Sequence, residues 1–275
     1  MFVFVTASNS LYRDVCNYNA YCAKRYGHFD KIVVYDVDTM IDDDYRLQHA
    51  EILQTKRGAG LWLWKVYFIH KALMEECHNG DILFYADAAS FFFRSVKPVL
   101  KKLKGDIHAV NVPYIEEEFT KHETIELMGL DEVRFTKTRQ FHASFMAFRK
   151  SPLTIKFVEE WKQCCEDIRL ISSYAYLGQQ IPSFVAHRND QSIFSLLCKK
   201  YDVSPSEDPS QYGITGYGNY HGAKYLKMDE TKAYPFCIML HKQRKWNQIE
   251  KMKCWLRIYK RYGIIGLRKI KGNRE

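Results

Sequence analysis

Residues 57–90 constrain the fold of this chain more than any other stretch. Arg57-Gly58-Ala59-Gly60 cannot easily continue regular structure, because glycine lets the backbone bend where side chains forbid it. From Trp64, the apolar residues Trp64, Tyr67, Phe68, Ala72 and Leu73 recur at helical spacing. Lys65, His70, Lys71, Glu75 and Glu76 then fall mostly on the opposite, polar side. His78-Asn79-Gly80 ends the helix. Residues 81–86 form an apolar run of strand length that delivers Asp87 to a strand's carboxyl end. Ligands of open α/β sheets bind at such ends, so this order of elements predicts a nucleotide-diphosphate site at Asp87.

At 275 residues the chain is long enough for one large α/β domain with a full core, or two small ones. Its 47% hydrophobic and 27% charged content excludes a disordered chain. No apolar run has the length of a membrane span. The opening Met1-Phe-Val-Phe-Val-Thr6 reads as a first strand and not as a secretion signal. Eight cysteines without CxxC or zinc-ligand spacing read as reduced core thiols, which places the protein in the cytoplasm. The net charge of +9 is concentrated at one end: between Lys242 and Arg274 stand twelve Lys or Arg residues against the single acid Glu250. That bias divides the chain into a domain over 1–240 and a basic segment over 241–275, with an anionic surface as partner. Ile249, Met252, Leu256, Tyr259 and Ile264, interleaved with Lys and Arg, form an amphipathic helix suited to a membrane face or to packing on the domain itself. No RNA- or DNA-binding motif accompanies the charge, and no nucleic-acid partner is expected.

Along the rest of the chain, Thr6-Ala7-Ser8-Asn9-Ser10 follows the first strand, where small polar residues receive a base or ribose or cap a helix. Asp36-Val37-Asp38 is a literal DxD but lies after an early strand among the acidic residues Asp42 to Asp44, and it reads as a decoy. Lys97 to Lys104 reads as a basic surface helix and 107–112 as a strand. The acidic run between Tyr114 and Glu126 reads as a solvated helix face. Arg139 to Arg149 reads as one strand. After Ser151-Pro152 comes a helix whose core face is Leu153, Phe157, Val158, Trp161 and Cys165. Asp190 either caps the helix that follows it or stands in the site. Ser204 to His221, rich in Gly, Ser and Tyr, is a loop and a candidate lid. Neither GxGxxG nor GxxxxGK[ST] occurs, so dinucleotide and P-loop readings have no support.

Arg57 to Lys65 (RGAGLWLWK) followed by GDILFYADAAS resembles the core of bacterial sugar-nucleotide-dependent glycosyltransferases of the GT-A fold, particularly those of capsule and lipopolysaccharide (O-antigen) assembly. Their first motif reads Arg-Gly-x-Gly-Tyr-Trp-x-Trp-Lys-Pro and their second ends Tyr-x-Asp-Ala-Gly. Here Leu61, Val66 and Ala89 replace Tyr, Pro and Gly. Gln140 to Arg149 is similar to their Gln-x-x-Ala-Gly-x-x-x-Phe-Arg segment, with Ser144 in place of Gly. His187 to Ser192 is similar to their His-Arg-x-Asp-Gln-Ser. The resemblance implies a GT-A-like, Rossmann-like, mostly parallel sheet flanked by helices, with a basic helical tail. It further implies transfer of a hexose from a nucleotide-diphosphate sugar, UDP-sugar favoured, to a hydroxyl of a glycan or lipid-linked acceptor.

By the same resemblance, Asp190 and Gln191 stand at the reacting sugar, where Asp190 faces developing positive charge. Thr6, Ser8, Arg57, Lys65, Asp87, Lys242 and Arg244 contact the donor nucleotide. His142, Ser144 and His187 contact sugar or acceptor. Asp87 and His241 ligate Mn²⁺ or Mg²⁺. Asp87-Ala88-Ala89 carries one carboxylate where a full DxD has two, so a metal-independent site neutralised by Lys and Arg stays open. So does a non-catalytic relative that binds glycan or membrane as a partner subunit. The basic tail implies a peripheral position on the inner face of the cytoplasmic membrane.

Overall fold

The computed structural model describes residues 1–103, 105–174, 178–215, 236–244 and 246–272. Its strands are β1 (Phe2–Ser8), β2 (Lys31–Asp36), β3 (Ile82–Ala86), β4 (Ser90–Phe92), β5 (Ile107–His108), β6 (Asn111–Ile115), β7 (Arg139–Phe141), β8 (Phe145–Arg149) and β9 (Ile238–Leu240). Five of them form the central sheet in the order β2-β1-β3-β8-β5. β2, β1 and β3 pair in parallel, while β8 runs antiparallel between β3 and β5. Only β8 is reversed, so the α/β class and the mostly parallel sheet expected from the sequence are present.

Both faces of this sheet are buried, which is why β1 and β3 are apolar at nearly every position. On one face Val3, Val5, Leu83, Tyr85, Met146 and Phe148 pack against helices Leu63–Glu75, Pro152–Glu166 and Asp190–Lys200. On the other, Phe4, Phe84 and Phe145 meet Phe29 and Phe92. Alternate residues supply alternate faces, as the two-residue period of a strand requires. Helix Pro152–Glu166 begins in a capping box at Ser151. Phe157, Val158, Trp161 and Cys165 are buried, but Leu153, in the exposed first turn, is not part of the core face.

The reversed strand places the site. Because β8 runs against β3, its amino end meets the carboxyl end of β3. The ladder continues beyond Ala86 through Asp87, whose N–H donates to the Ser144 carbonyl at 2.8 Å. Ser8, at the end of parallel β1, reaches the same edge of the sheet.

Several expected elements divide. The stretch 107–112 separates into β5 and β6, which belong to different sheets. Likewise, 139–149 separates into β7 and β8 around His142-Ala143-Ser144. In the first case the chain leaves the central sheet and in the second it joins it, each at a point no local signal marks. The expected surface helix from Lys97 is a single turn, Lys97–Leu100, with Val99 and Leu100 buried; Lys104 lies outside the described residues. Of the candidate lid, residues 204–215 are described, and Asp208, Ser210 and Gln211 are buried in it. Gln211 exchanges two hydrogen bonds with the Leu240 backbone. Residues 216–221 of that loop lie outside the described residues.

Candidate functional site

The glycine-rich segment before helix Leu63–Glu75 forms one left-handed turn. Gly58, Ala59, Gly60, Leu61 and Trp62 all have positive φ. For the three residues with side chains, this backbone costs roughly 3–6 kcal/mol at 1–2 kcal/mol each. Glycine is needed at the remaining two. A Cβ on Gly60 would lie 2.8 Å from the Leu53 Cα, and one on Gly58 would lie 2.3 Å from the Trp62 ring. The Trp64 indole N–H closes the turn by donating to the Gly58 carbonyl at 2.9 Å. The turn sets Trp62 at the mouth of the site and starts the helix so that Lys65 faces inward. Strain of this kind persists only where the surroundings over-determine it, and it clusters at functional sites.

Lys65 corrects the sequence expectation. Helical spacing put it on the solvent side, yet it is 3% exposed. Its Nζ lies 2.9 Å from Asp190 Oδ2 and 3.2 Å from Asp87 Oδ1, and it donates to the Ala143 carbonyl at 3.0 Å. An ammonium has three protons, and three acceptors stand around it. The partners come from β3, the β7–β8 connection and helix Asp190–Lys200, none of which is near Lys65 in sequence. Tyr85 Oη also donates to Asp87 Oδ1, at 3.0 Å, and Asn19 Nδ2 donates to the Asp87 carbonyl at 3.2 Å. Asp87 remains partly open, with its side chain 34% exposed. Burial pushes the Asp190 carboxyl up to about 6 against the pull of Lys65.

Asp190 is not the helix cap. The cap position is Asn189, held at φ 54° and ψ −122°, and its side chain makes no capping bond. Instead Asn189 Nδ2 donates to the Ile171 carbonyl at 2.8 Å, and Oδ1 accepts from Arg57 Nε at 3.1 Å. Gln191 Oε1 accepts from the Ala143 N–H at 3.3 Å. The peptide groups of Ala143 thus serve both Lys65 and Gln191.

Two adjoining cavities flank this cluster. The larger, about 420 Å³, is lined by residues that include Ser8, Asn9, Tyr12, Lys56, Trp64 and Arg244. The smaller, about 160 Å³, is lined by Arg57, Lys65, Ser144, Arg188, Asp190 and Gln191 among others. Asp87 and Trp62 line both. Of the expected donor contacts, Ser8, Arg57, Lys65, Asp87 and Arg244 line one cavity or both. Thr6 is fully buried beneath Cys16, and Lys242 is exposed and lines neither cavity. Arg244 Nε donates to Tyr12 Oη at 3.2 Å.

The expected sugar or acceptor contacts divide in the same way. Ser144 lines the smaller cavity, while His142 and His187 are buried and line neither. His142 Nδ1 accepts from the Ser144 N–H and His187 Nδ1 from the Lys121 N–H. Burial drives both imidazoles down to about 3, so they are neutral wedges that support the loops around them. The solvated reading of the acidic run fails at Glu116 and Glu123, both buried. Glu116 pairs with Lys199 and Glu123 with Lys121. Asp36 is paired with Arg13, and Asp38 Oδ2 accepts from the Ser10 N–H, so the DxD carboxylates have local partners.

Of the two residues the resemblance implies for a divalent metal, Asp87 lines both cavities and His241 lines neither. His241 N–H donates to the Ala89 carbonyl, which joins its strand end to the Asp87 loop. Its ring stacks on Trp246 at 4.4 Å, and Nε2 is buried without a partner among the described residues. Burial lowers the imidazole to about 4, which keeps it in the neutral form that ligates metals. No third His, Cys, Asp or Glu joins the two among the described residues. The one three-ligand group found there is His122, Glu126 and Asp131, on the surface. Two donors such as Asp87 and His241 are too few to hold a metal without oxygens from a ligand.

Sequence reasoning missed Trp62 as the wall between the cavities, Tyr85 and Asn19 as supports of Asp87, and Asn189 as the link to Arg57. Trp62 and Asn189 lie inside the motifs, but nothing in the motifs marks their positive φ.

No family model matches this chain, and no curated protein matches it. Among solved structures it is similar to apo mouse xyloside xylosyltransferase 1 (TM-score 0.40, 10% identity, 73% of this chain and 82% of that one). It is also similar to an active-site mutant of LgtC (TM-score 0.48, 13% identity, 91% of this chain and 94% of that one). Likenesses this distant leave the chemistry of the site to its own residues.

The raised Asp190 carboxyl has a measurable sign. The folded state holds this proton to higher pH than the unfolded chain, so the group's contribution to stability falls as pH rises from about 4 to about 6. Asp190→Asn removes that slope. In urea unfolding across this window, the stability difference should move in favour of the variant as pH rises. A pH-independent difference would contradict the assignment.

Proposed function

We propose that this chain is a glycosyltransferase that moves a hexose from a nucleotide-diphosphate sugar, UDP-sugar favoured, to a hydroxyl of a glycan or lipid-linked acceptor in surface polysaccharide synthesis. The observation that carries this reading is the Lys65 ammonium bridging Asp87 and Asp190 where the larger and smaller cavities meet. A donor of this class has a large flat nucleoside, a compact sugar and an anionic joint between them. The larger cavity offers Ser8, Asn9 and the aromatic faces of Tyr12 and Trp64 to a nucleoside. Lys56 and Arg244 stand there with the charge a diphosphate needs.

In the smaller cavity, ionised Asp190 faces positive charge developing at the anomeric carbon, and Gln191 and Ser144 bind hydroxyls. Lys65 is therefore assigned to holding the two carboxylates and not to phosphate. Asp87 and His241 would hold Mn²⁺ or Mg²⁺ together with diphosphate oxygens. The ion would neutralise charge on the departing nucleotide.

A thermal-shift panel of UDP, GDP, CMP and dTDP, each with Mn²⁺ or EDTA, tests this on the wild type and Asp87→Ala. At a hundred times its dissociation constant, a ligand adds about 2.7 kcal/mol to folded-state stability. UDP is expected to give the largest shift, reduced in Asp87→Ala; loss with EDTA marks the metal-assisted form. No shift with any nucleotide would reject the donor site, and a shift without turnover of any UDP-sugar would reject catalysis.

We further propose that helix Gln248–Gly272 rests on an anionic membrane from the cytoplasmic side. Cys254 and Ile258 bury one face of it against Phe91, Phe93 and Phe236. Ile249, Met252, Leu256 and Tyr259 form a second, exposed apolar row flanked by Lys253, Arg257 and Lys260. Among the described residues no helix is long and apolar enough to cross a membrane. Flotation with phosphatidylcholine vesicles, with and without phosphatidylserine, tests this. Binding should require the anionic lipid and be lost in Met252→Asp/Leu256→Asp. Binding that is absent, or equal in that variant, would rule this face out.

A further inference from the structure

We propose that Glu116, which is fully buried and lines neither cavity, is a positioning residue that fixes which way the Gln191 amide faces the smaller cavity and so selects among sugar epimers. This rests on the reading of that cavity as the sugar subsite. An ionised carboxylate only accepts hydrogen bonds. Glu116 is paired with Lys199 at 2.6 Å, and its Oε1 accepts from Thr120 Oγ1 at 2.6 Å and from Gln140 Nε2 at 3.0 Å. Ser195 Oγ donates to its other oxygen.

Gln140 must therefore turn its NH₂ toward Glu116 and its Oε1 toward Gln191, where it accepts from Nε2 at 2.7 Å. That leaves Gln191 Oε1 facing the Ala143 N–H, a group that can only donate. The chain is pinned by an obligate acceptor at one end and an obligate donor at the other. One orientation of both amides satisfies it, because a flip of either would set like against like. Gln191 keeps one N–H and one lone pair for a ligand, in a fixed sense. A site built this way binds a hydroxyl that offers the matching pair and rejects an epimer that places it elsewhere. A neutral residue at 116 could donate or accept, which leaves only two long contacts to oppose reversal of the amides, Gln140 Nε2 to the Phe119 carbonyl and the Ala143 N–H to Gln191 Oε1, each at 3.3 Å.

Glu116→Gln/Lys199→Met removes both charges and leaves neither buried alone. Gln140→Met breaks the relay without touching the ion pair, and it serves if the double variant does not fold. Two measurements on the full chain separate the parts of the proposal. In side-chain amide NMR, Gln191 should give one sharp proton pair in the wild type and exchange-broadened or doubled signals in the variants. In donor hydrolysis with UDP-glucose and UDP-galactose, the wild-type kcat/KM ratio should be about tenfold or more and should fall toward unity in the variants. UDP affinity should be unchanged, whereas a merely structural role for Glu116 would weaken UDP and both sugars together.

An unchanged Gln191 signal overturns the relay. A disturbed signal with an unchanged epimer ratio overturns its role in specificity. If the wild type hydrolyses neither donor, the sugar reading fails and selection among epimers fails with it, while the NMR result still decides whether Glu116 sets the amide.

Discussion

Lys65 is the charge around which the site is assembled. A lone ammonium cannot be buried at this depth without compensation, and its two carboxylates reach it from two separate segments of the chain. Asp87 is carried by the most interior strand and Asp190 by the first turn of a buried helix. Each would be costly to bury alone. Together they make the ammonium tolerable, and the ammonium keeps the carboxylates from repelling one another. The left-handed turn at 58–62 has a physical reason in this arrangement: it starts the helix in the one phase that turns Lys65 inward and leaves Trp62 over the joint between the cavities.

A second buried charge system lies on the far side of the same loop. Glu116 and Lys199, with Gln140 and Ser195, reach Gln191 from behind, as Lys65 reaches Asp190 from the front. Both systems end on the backbone of Ala143, its carbonyl taken by Lys65 and its N–H by Gln191. Residues 142–144 are thus fixed from both sides, and the Ser144 carbonyl in turn holds the Asp87 N–H. Side chains aimed into the smaller cavity are attached to a frame with little freedom to relax, which pre-organised electrostatics requires.

Much of this was legible in the sequence where a signal is local. The apolar runs at 2–6 and 82–86 could only be buried strands, and a strand tip is where Asp87 had to be. By resemblance the His187 to Ser192 motif pointed to Asp190, which lines the smaller cavity. What escaped was every feature whose cause is remote. Lys65 falls on the polar side of its helix by spacing, and only partners from three distant segments bring it inside. Glu116 and Glu123 sit in an acidic run that looks solvated, because Lys199 and Lys121 are not visible as their partners from the run itself. The single strand expected over 139–149 breaks at His142 because β7 and β8 answer to different sheets, and no residue there signals a turn.

Urea unfolding of Lys65→Met, compared with the variant that also carries Asp87→Asn and Asp190→Asn, measures the central interaction most directly. Removing the ammonium alone strands two carboxylates and should lower stability by about 3–5 kcal/mol. Neutralising both carboxylates in the same chain should restore most of that loss. If Lys65→Met stays within about 1 kcal/mol of the wild type, or the triple variant is no more stable than the single one, the three charges do not form the centre on which this site is built.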